Sequence, residues 1–412
     1  MRIWIFNHHA LTPQQAGGTR HFDYAKKLVE RGHEVTIFAS SFHYASHTDF
    51  KTYPPDTDVL SERYDGVEFV WIRTRPYHGN GIGRVVNMLD YMRKAERIAK
   101  VRQDVPDIVI GSSVHLFAVL AAWRTAKRLC VPFVMEVRDL WPQTLIDMGM
   151  SRYHPFIVGM GMLERYLYRR ADAVVTNLPY ASRYIERYVP PEKIHWIPNG
   201  VDVERNRHIE AHRFEPNFFH VVYAGAIGLA NQIDTLLDAA KLLADLPVRF
   251  HIVGDGPQRE RLQNAAKISG LSSIRFYGPM EKSKAVAMIN GADVLFFPLA
   301  DSPVFRYGIA SNKLFDYLAS GRPILFASNA ANNPVKDAGA GLSVPAGDAE
   351  AVAHALEELF RMSEAVRRDL GKKGLAHVRA FYAIEKLAED LETLLHSIRY
   401  NFENSEKRVR LC

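Results

Sequence analysis

Residues 306–323 read RYGIASNKLFDYLASGRP. The stretch decides the fold because it holds one complete local unit. A glycine-bearing turn leads into a short amphipathic helix, a glycine stops the helix, and an apolar strand follows over 324–327. A helix start presents unpaired backbone N–H groups and a partial positive charge, so this turn suits a phosphate. Lys313 lies in the first turn, where a cation opposes the helix dipole unless an anion is near. Asp316, one turn on, has the reach to accept hydrogen bonds from a ribose diol. A solvated Lys–Asp pair at spacing i, i+3 accounts for the same two residues, and spacing alone does not choose.

Outward from this unit the same rhythm fills the chain. Apolar, β-branched runs predict strands over 2–6, 34–39, 67–72, 107–111, 133–137, 173–176 and 194–197, with helices over 19–30, 85–100, 115–128 and 156–170. The rhythm breaks at Pro198-Asn199-Gly200-Val201-Asp202, and polar residues run on to Pro216. It restarts with strands over 219–223, 249–253, 273–277, 293–298 and 324–327, and late helices over 349–360 and 381–398. Buried strands separated by helices predict an α/β fold of two Rossmann-like domains with parallel sheets, whose strand ends face a cleft. The expected division is an N-terminal domain over 1–198, a linker over 199–216 and a C-terminal domain over 217–380. A helix over 381–400 would return to the first domain, and 401–412 would form a frayed tail.

Composition narrows the function. The 412 residues carry a formal charge of +6, with 47% hydrophobic and 24% charged residues, as in an ordinary globular protein. This mild basicity fits an anionic substrate or an anionic membrane face and is too weak for nucleic acid. Two cysteines, Cys130 and Cys412, make no disulfide framework, which points to a cytoplasmic setting. The chain starts on a strand with no leader pattern, and its longest apolar run, 116–123, is far short of a bilayer span. The helix over 85–100 combines Arg93, Lys94, Arg97 and Lys100 with Val85, Met88, Leu89 and Met92, and so is a candidate for an anionic membrane surface. The histidines at 8, 9, 21, 33, 43 and 47 show no metal-ligand spacing, so no metal is expected. Dinucleotide, P-loop and nucleophile-elbow motifs are all missing from the sequence.

Four turns look chemical. Gly17-Gly18-Thr19-Arg20-His21 opens a helix with two glycines that admit a ligand close to the backbone. Glu136-Val137-Arg138-Asp139-Leu140-Trp141-Pro142 gathers charged and aromatic groups at a strand exit. Val253-Gly254-Asp255-Gly256-Pro257 is a second nucleotide-compatible turn, and Phe276-Tyr277-Gly278-Pro279-Met280 an extended edge on which a base can rest. Each of these also reads as plain turn or loop geometry when taken alone.

In order along the chain, these motifs, with Arg31-Gly32-His33-Glu34-Val35, Ile197-Pro198-Asn199-Gly200-Val201-Asp202 and Tyr223-Ala224-Gly225-Ala226-Ile227-Gly228, resemble the retaining glycosyltransferases of family 4, which have the GT-B fold. Within them the chain looks most like bacterial O-antigen and capsule enzymes typified by the L-fucosamine (N-acetyl-fucosamine) transferases. The resemblance implies transfer of a sugar from a UDP-sugar to a polyprenyl-diphosphate-linked glycan at the membrane periphery, without metal or cofactor. It places Gly17, Gly18, Gly225, Gly228 and Gly254 near the donor, and Gly278, Pro279 and Met280 beside the uracil. Arg306, Tyr307, Gly308, Ile309, Ala310, Ser311, Asn312, Lys313 and Leu314 would surround the diphosphate, and Asp316 would bind the ribose. Arg138, Asp139 and Lys313 are the candidate catalytic groups, and Arg20, His21 and Trp141 the candidate acceptor contacts. Three departures stand out. Gly308 occupies the position of the family's first glutamate, Ala226 and Asn231 those of its arginine–lysine clamp, and Arg138 that of a histidine. A soluble small-molecule acceptor, an inactive sugar-nucleotide-binding protein and an epimerase remain alternatives.

Overall fold

The computed structural model describes residues 1–15, 17–43, 46–79 and 81–405. The chain forms two compact units, one built from residues 1–198 with the chain from Ile384 on, the other from Asn199–Ala383.

The first unit holds strands β1 (Arg2–Phe6), β2 (Glu34–Ser40), β3 (Phe42–His43), β4 (Thr48–Asp49), β5 (Val59–Tyr64), β6 (Val67–Ile72), β7 (Ile108–Ser112), β8 (Phe133–Val137), β9 (Ala173–Thr176) and β10 (Ile194–Trp196). Eight of them form one sheet in the order β10-β9-β8-β7-β1-β2-β6-β5, while β3 and β4 pair separately. The pairings in the large sheet are parallel except β5 with β6. That exception is a hairpin closed by Asp65-Gly66, both at positive φ, the backbone a two-residue primed turn requires. The sheet is apolar on both faces, as a helix-covered parallel sheet must be. Ile3, Ile5, Ile37, Phe69 and Ile110 pack under helices Arg20–Glu30 and Ile384–Glu403 through Phe22, Leu28, Leu387 and Leu395. The returning helix starts at Ile384 and runs to Glu403, so the expected tail is helical at its start, and residues 406–412 lie outside the described residues.

The helix Ile82–Val101 corrects one expectation. Its Met88, Tyr91, Met92, Ala95 and Ala99 are buried in the fold, leaving exposed apolar residues only near its ends. Lys94 is bound to Asp58, Asp90 and the Arg73 carbonyl. Met88 and Met92, expected on an exposed apolar face, are therefore part of the core, while Arg93, Arg97 and Lys100 are exposed.

The second unit is a six-stranded parallel sheet in the order β13-β12-β11-β14-β15-β16, made of β11 (Phe219–Ala224), β12 (Val248–Val253), β13 (Ile274–Gly278), β14 (Val294–Pro298), β15 (Ile324–Ala327) and β16 (Gly341–Val344). Helices Asp234–Leu242 and Ala349–Arg361 cover one face, and Lys282–Gly291, Asn312–Ala319 and Glu364–Phe381 the other. Residues 199–216, expected as a linker, belong to this unit. Asn290 holds the Asn206 and Ile209 carbonyls, Val201 bonds the Tyr382 carbonyl, and His212 bonds that of Ala287. Their polarity reflects hydrogen bonding into the fold rather than solvation.

Candidate functional site

Parallel sheets bind ligands where the strand order reverses, beyond the carboxyl ends of the strands. In the second unit that point lies beyond β11 and β14. There the backbones run too close for any side chain. A Cβ on Gly254, at φ +131°, would stand 1.9 Å from the Gly225 carbonyl oxygen. The two glycines thus bring the ends of β11 and β12 together as a bare backbone floor.

The turn before helix Asn312–Ala319 is fixed from both sides. Gly308 adopts φ 89°, ψ −179°, a conformation reserved for glycine. Asn332 bonds both the N–H and the carbonyl of Ile309 at 2.7 and 3.2 Å, and the Asn199 amide bonds the Ala310 carbonyl at 2.5 Å. Ser311 enters the eight-residue helix Asn312–Ala319 without capping it through its side chain; the Leu314 N–H bonds the Ser311 carbonyl, and those of Asn312 and Lys313 stay available.

Lys313 leaves this turn and runs along Gly225, where an added Cβ would meet its Cδ at 2.9 Å. Its ammonium donates to the Asn231 side-chain carbonyl at 2.8 Å and to the Tyr223 hydroxyl at 3.2 Å. It also lies 4.6 Å from the Tyr223 ring and 4.8 Å from that of Phe297. Burial lowers its pKa from 10.5 to about 7. Tyr223 in turn donates to the Ala226 carbonyl, and the Tyr317 hydroxyl accepts from the Ala224 N–H at 2.7 Å. Asp316, half-buried, accepts from the Asn206 amide at 2.9 Å through one oxygen. Arg306 is exposed and lies over the Tyr307 ring. Gly278 sits at φ +76° at the end of β13, pressed against the Arg259 guanidinium. Pro279 is exposed and Met280 half-buried beside it.

The sequence reading missed Arg259 and the roles of Tyr223 and Asn231. Arg259 opens a helix directly after the Gly-Asp-Gly-Pro turn, and that position was the available signal. Tyr223 and Asn231 lie 90 and 82 residues from Lys313, beyond any local pattern.

In the first unit, Gly17 and Gly18 are exposed at the start of helix Arg20–Glu30. Arg20 and His21, expected at the acceptor, are instead buried. Arg20 bonds Glu136 at 2.9 Å and the Ile197 and Pro198 carbonyls, while His21 bonds Glu136 at 2.6 Å and the Asn7 amide at 2.8 Å. The correction has a plain cause: a buried carboxylate needs fixed donors, and these two residues supply them. A cavity of about 20 Å³ beside them has room for about one water. Glu136 is thereby a core residue, whereas Asp139 is exposed and Arg138 and Trp141 half-exposed at the end of β8.

A buried histidine pair, also unforeseen, lies at this sheet's own reversal point, beyond β1 and β7. His8 Nδ1 and His115 Nε2 are 2.6 Å apart, and His8 stacks on Tyr91 at 4.3 Å. His115 Nδ1 accepts from the Ala118 N–H, so its Nε2 proton goes to His8, which must carry its own on Nε2. Among the described residues that last N–H has no partner. Burial lowers both histidines well below their usual pKa, which keeps the pair neutral.

Among the described residues one group can present three metal-ligand atoms within 4.8 Å, namely His33, Glu392 and His396. Its carboxylate is already bound by Arg31 and His33, and the amino terminus meets His33 Nδ1, so it acts as an ion-pair clasp on the last helix.

Both units are similar in sequence to known proteins. Residues 16–200 match a glycosyl transferase 4-like domain, and residues 219–362 match glycosyl transferases group 1. A GDP-mannose-dependent alpha-mannosyltransferase of Mycobacterium tuberculosis is 27% identical over 357 residues, 83% of this chain and 85% of the relative. An Escherichia coli K12 protein assigned by name to colanic acid biosynthesis glycosyl transfer is 23% identical over 63% of this chain and 67% of its own. An O-antigen chain mannosyltransferase C of Escherichia coli is 28% identical over 53% of this chain, which spans little more than half that relative, 57%. Among solved structures, a sucrose-phosphate synthase from Thermosynechococcus elongatus has a TM-score of 0.74 at 19% identity, over 96% of this chain and 98% of that one. The Anabaena protein HepE in complex with UDP and glucose has a TM-score of 0.68 at 15% identity, over 96% and 100%.

Proposed function

Because this chain belongs to the glycosyltransferases of the GT-B fold, we propose that it is a retaining enzyme drawing its sugar from a nucleoside diphosphate donor held in the second unit. The observation that carries this reading is Lys313, an ammonium buried against Tyr223, Phe297 and a glycine floor and bound, among the described residues, to neutral groups. A buried cation without a carboxylate is costly, and an anionic ligand relieves that cost. The diphosphate fits by charge, the first-turn N–H groups offer it donors, and the free oxygen of Asp316 faces no competing bond from Asn206.

In the reaction the bond from sugar C1 to the diphosphate oxygen breaks, and the nucleoside diphosphate leaves with the electron pair. The acceptor hydroxyl oxygen bonds C1 on the same face and gives its proton to the leaving phosphate oxygen. Lys313 contributes by meeting the charge that develops on the diphosphate, a preorganised electrostatic role. The donor is proposed as a UDP-sugar, in keeping with the UDP complex of the Anabaena neighbour, and its sugar as N-acetyl-fucosamine or a related amino or deoxy sugar. The acceptor is proposed as a polyprenyl-diphosphate-linked glycan, in keeping with the relatives named for O-antigen and colanic acid synthesis.

A thermal-shift panel of UDP-, GDP- and TDP-sugars tests the donor, since a ligand of the native state raises apparent stability with its affinity. Stabilisation by one nucleotide class, lost in Lys313→Met, supports the reading. No stabilisation by any nucleotide sugar overturns it.

A further inference from the structure

The pairing of β12 with β13 changes register beside the glycine floor. His251 opposes Arg275 and Ile252 opposes Phe276, but Val253 opposes Gly278, so Tyr277 is an extra residue that the ladder skips. Bulges are rare between parallel strands, and they re-aim the chain that follows them. In an unbroken register Tyr277 would oppose Val253, and Gly278, Pro279 and Met280 would each turn to the other face. This segment adjoins the floor. The Gly278 carbonyl accepts from the Gly254 N–H at 2.9 Å, Gly254 lies against Gly225, and the Lys313 stem lies against Gly225 in turn.

The Tyr277 side chain is held by a row of bonds across the sheet. Its hydroxyl lies 2.9 Å from His251 Nδ1, His251 Nε2 lies 2.9 Å from His220 Nδ1, and His220 Nε2 lies 2.7 Å from the Glu215 carbonyl oxygen. That carbonyl can only accept, so with neutral rings the order of protons is forced. His220 donates to the carbonyl, His251 donates from Nε2 to His220, and Tyr277 donates to His251 Nδ1. All four ring nitrogens are used. His220 in β11 and His251 in β12 are both buried, and Phe214 covers them at 4.6 and 4.4 Å between ring centres. Burial lowers His251 to about 3, which keeps its Nδ1 open to the hydroxyl.

We propose that His220 and His251 are positioning residues for the donor: through the Tyr277 hydroxyl they fix the bulge that turns Gly278, Pro279 and Met280 toward the nucleobase. The inference rests on the donor reading and deepens it, assigning the support of the base as Lys313 is assigned the diphosphate. Both rings stay inside the fold and act through Tyr277. Their loss therefore weakens recognition of the base and spares the diphosphate.

Titration calorimetry of the full chain with UDP, GDP, TDP and inorganic diphosphate tests it, in the wild type and in Tyr277→Phe. That change keeps the ring and removes one hydroxyl from a half-buried residue of an edge strand, so the melting temperature stays near that of the wild type. The nucleoside diphosphate that binds the wild type binds the variant about five- to tenfold more weakly, while inorganic diphosphate binds both alike within about twofold. Nitrogen NMR of histidine-labelled protein shows His251 as the Nε2–H tautomer, identified by its loss in His251→Leu, and its signals move in Tyr277→Phe. Equal nucleotide affinity in wild type and Tyr277→Phe overturns the proposal. So does an equal loss for inorganic diphosphate, which would make the row a support of the whole unit, and so does the other tautomer at His251. If no nucleoside diphosphate binds the wild type, the donor reading fails and this role falls with it. If one binds wild type and variant alike, this role falls alone.

Discussion

The Lys313 ammonium lies 2.8 Å from the side-chain carbonyl of Asn231, a neutral residue at the position that the family resemblance gives to a clamp cation. The ammonium arrives from the first turn of helix Asn312–Ala319, and Asn231 receives it as a neutral acceptor. An ammonium held by dipoles alone is ready to exchange them for a phosphate.

Replacing Lys313 by methionine keeps the stem against Gly225 and removes the charge. We expect kcat/KM for sugar transfer to fall about 10²–10³-fold, roughly 3–4 kcal/mol, the usual loss for one preorganised donor. Asn231→Ala only unseats the cation and should cost about tenfold. Steady-state kinetics on the true donor decide, and unchanged kcat/KM in Lys313→Met removes the residue from catalysis.

Donor binding should also take up a proton. With the ligand-free pKa lowered to about 7, Lys313 is mostly neutral in mildly alkaline solution, and a bound diphosphate restores its charge. Titration calorimetry with UDP at about pH 8, in buffers of different ionisation enthalpy, should show net uptake approaching one proton, absent in Lys313→Met. The stability of the free protein follows the same linkage. Its folded value lies below the 10.5 of the unfolded chain, so the unfolded state binds more protons between the two. This residue's contribution to stability therefore rises with pH across that window. A donor affinity with no proton linkage would contradict the assignment.

Asp316 bonds Asn206 through one oxygen, and we propose that the other meets a ribose hydroxyl of the donor. A ribose contact is much the same in the ground and transition states, so Asp316→Ala should raise the donor KM about tenfold while kcat changes less than about threefold. Asn206→Ala should move the same parameter in the same direction by less. A loss confined to kcat would assign Asp316 to the chemistry instead.

Much of the fold was open to reading because buried parallel strands are continuous apolar runs, as in Val294–Pro298 and Phe133–Val137. Four strands escaped: the two-residue pair β3 and β4, too short to leave a pattern, and two longer ones for opposite reasons. Val59–Tyr64 is only half-buried and mixes charges into its pattern, although Asp65-Gly66 announced its hairpin. Gly341–Val344 is short and opens on a glycine. The helix Glu364–Phe381 was hidden by Gly371 and Gly374, poor helix formers that are there for packing: a Cβ on Gly371 would lie 1.8 Å from the Gly321 carbonyl oxygen. At the site, local spacing marked Lys313 and Asp316. The partners that define them, Asn231, Tyr223 and Asn206, arrive from 82, 90 and 110 residues away and leave no local trace. Arg20 and His21 were misplaced for the same reason, since Glu136 lies 116 residues from Arg20.

Glu136 offers a test of that buried network. Burial pushes its pKa up, but His21 and Arg20 more than offset this and hold it well below the usual carboxylate range. Glu136→Gln should therefore destabilise the protein by about 3–5 kcal/mol in chemical denaturation, because Arg20 is left charged and buried. The double change Arg20→Met with Glu136→Leu should cost less than the sum of its single changes. The sign of the pH dependence follows from the lowered folded value. The stabilisation is present above the unfolded carboxylate pKa, about 4.3, and is lost as pH falls toward the folded one. Equal acid sensitivity in wild type and Glu136→Gln would show that the pair carries no such linkage.

Gly308 permits the sharpest prediction, because its backbone forbids the residue that the family pattern would place there. At φ 89° and ψ −179° a glutamate would be strained by about 1–3 kcal/mol, and the flanking Ile309 is pinned by two bonds to Asn332. Gly308→Glu should thus lower the melting temperature by several degrees and reduce transfer, instead of repairing a missing carboxylate. The turn would have to shift to admit the side chain, and Lys313 starts only five residues on, so the cation would move with it. The prediction separates two explanations of the departure. If Gly308→Glu raised turnover on the native donor without loss of stability, the glycine would be a simple deletion of a functional group. If it lowers both, the glycine is required by a turn whose cation has taken over the binding of the donor.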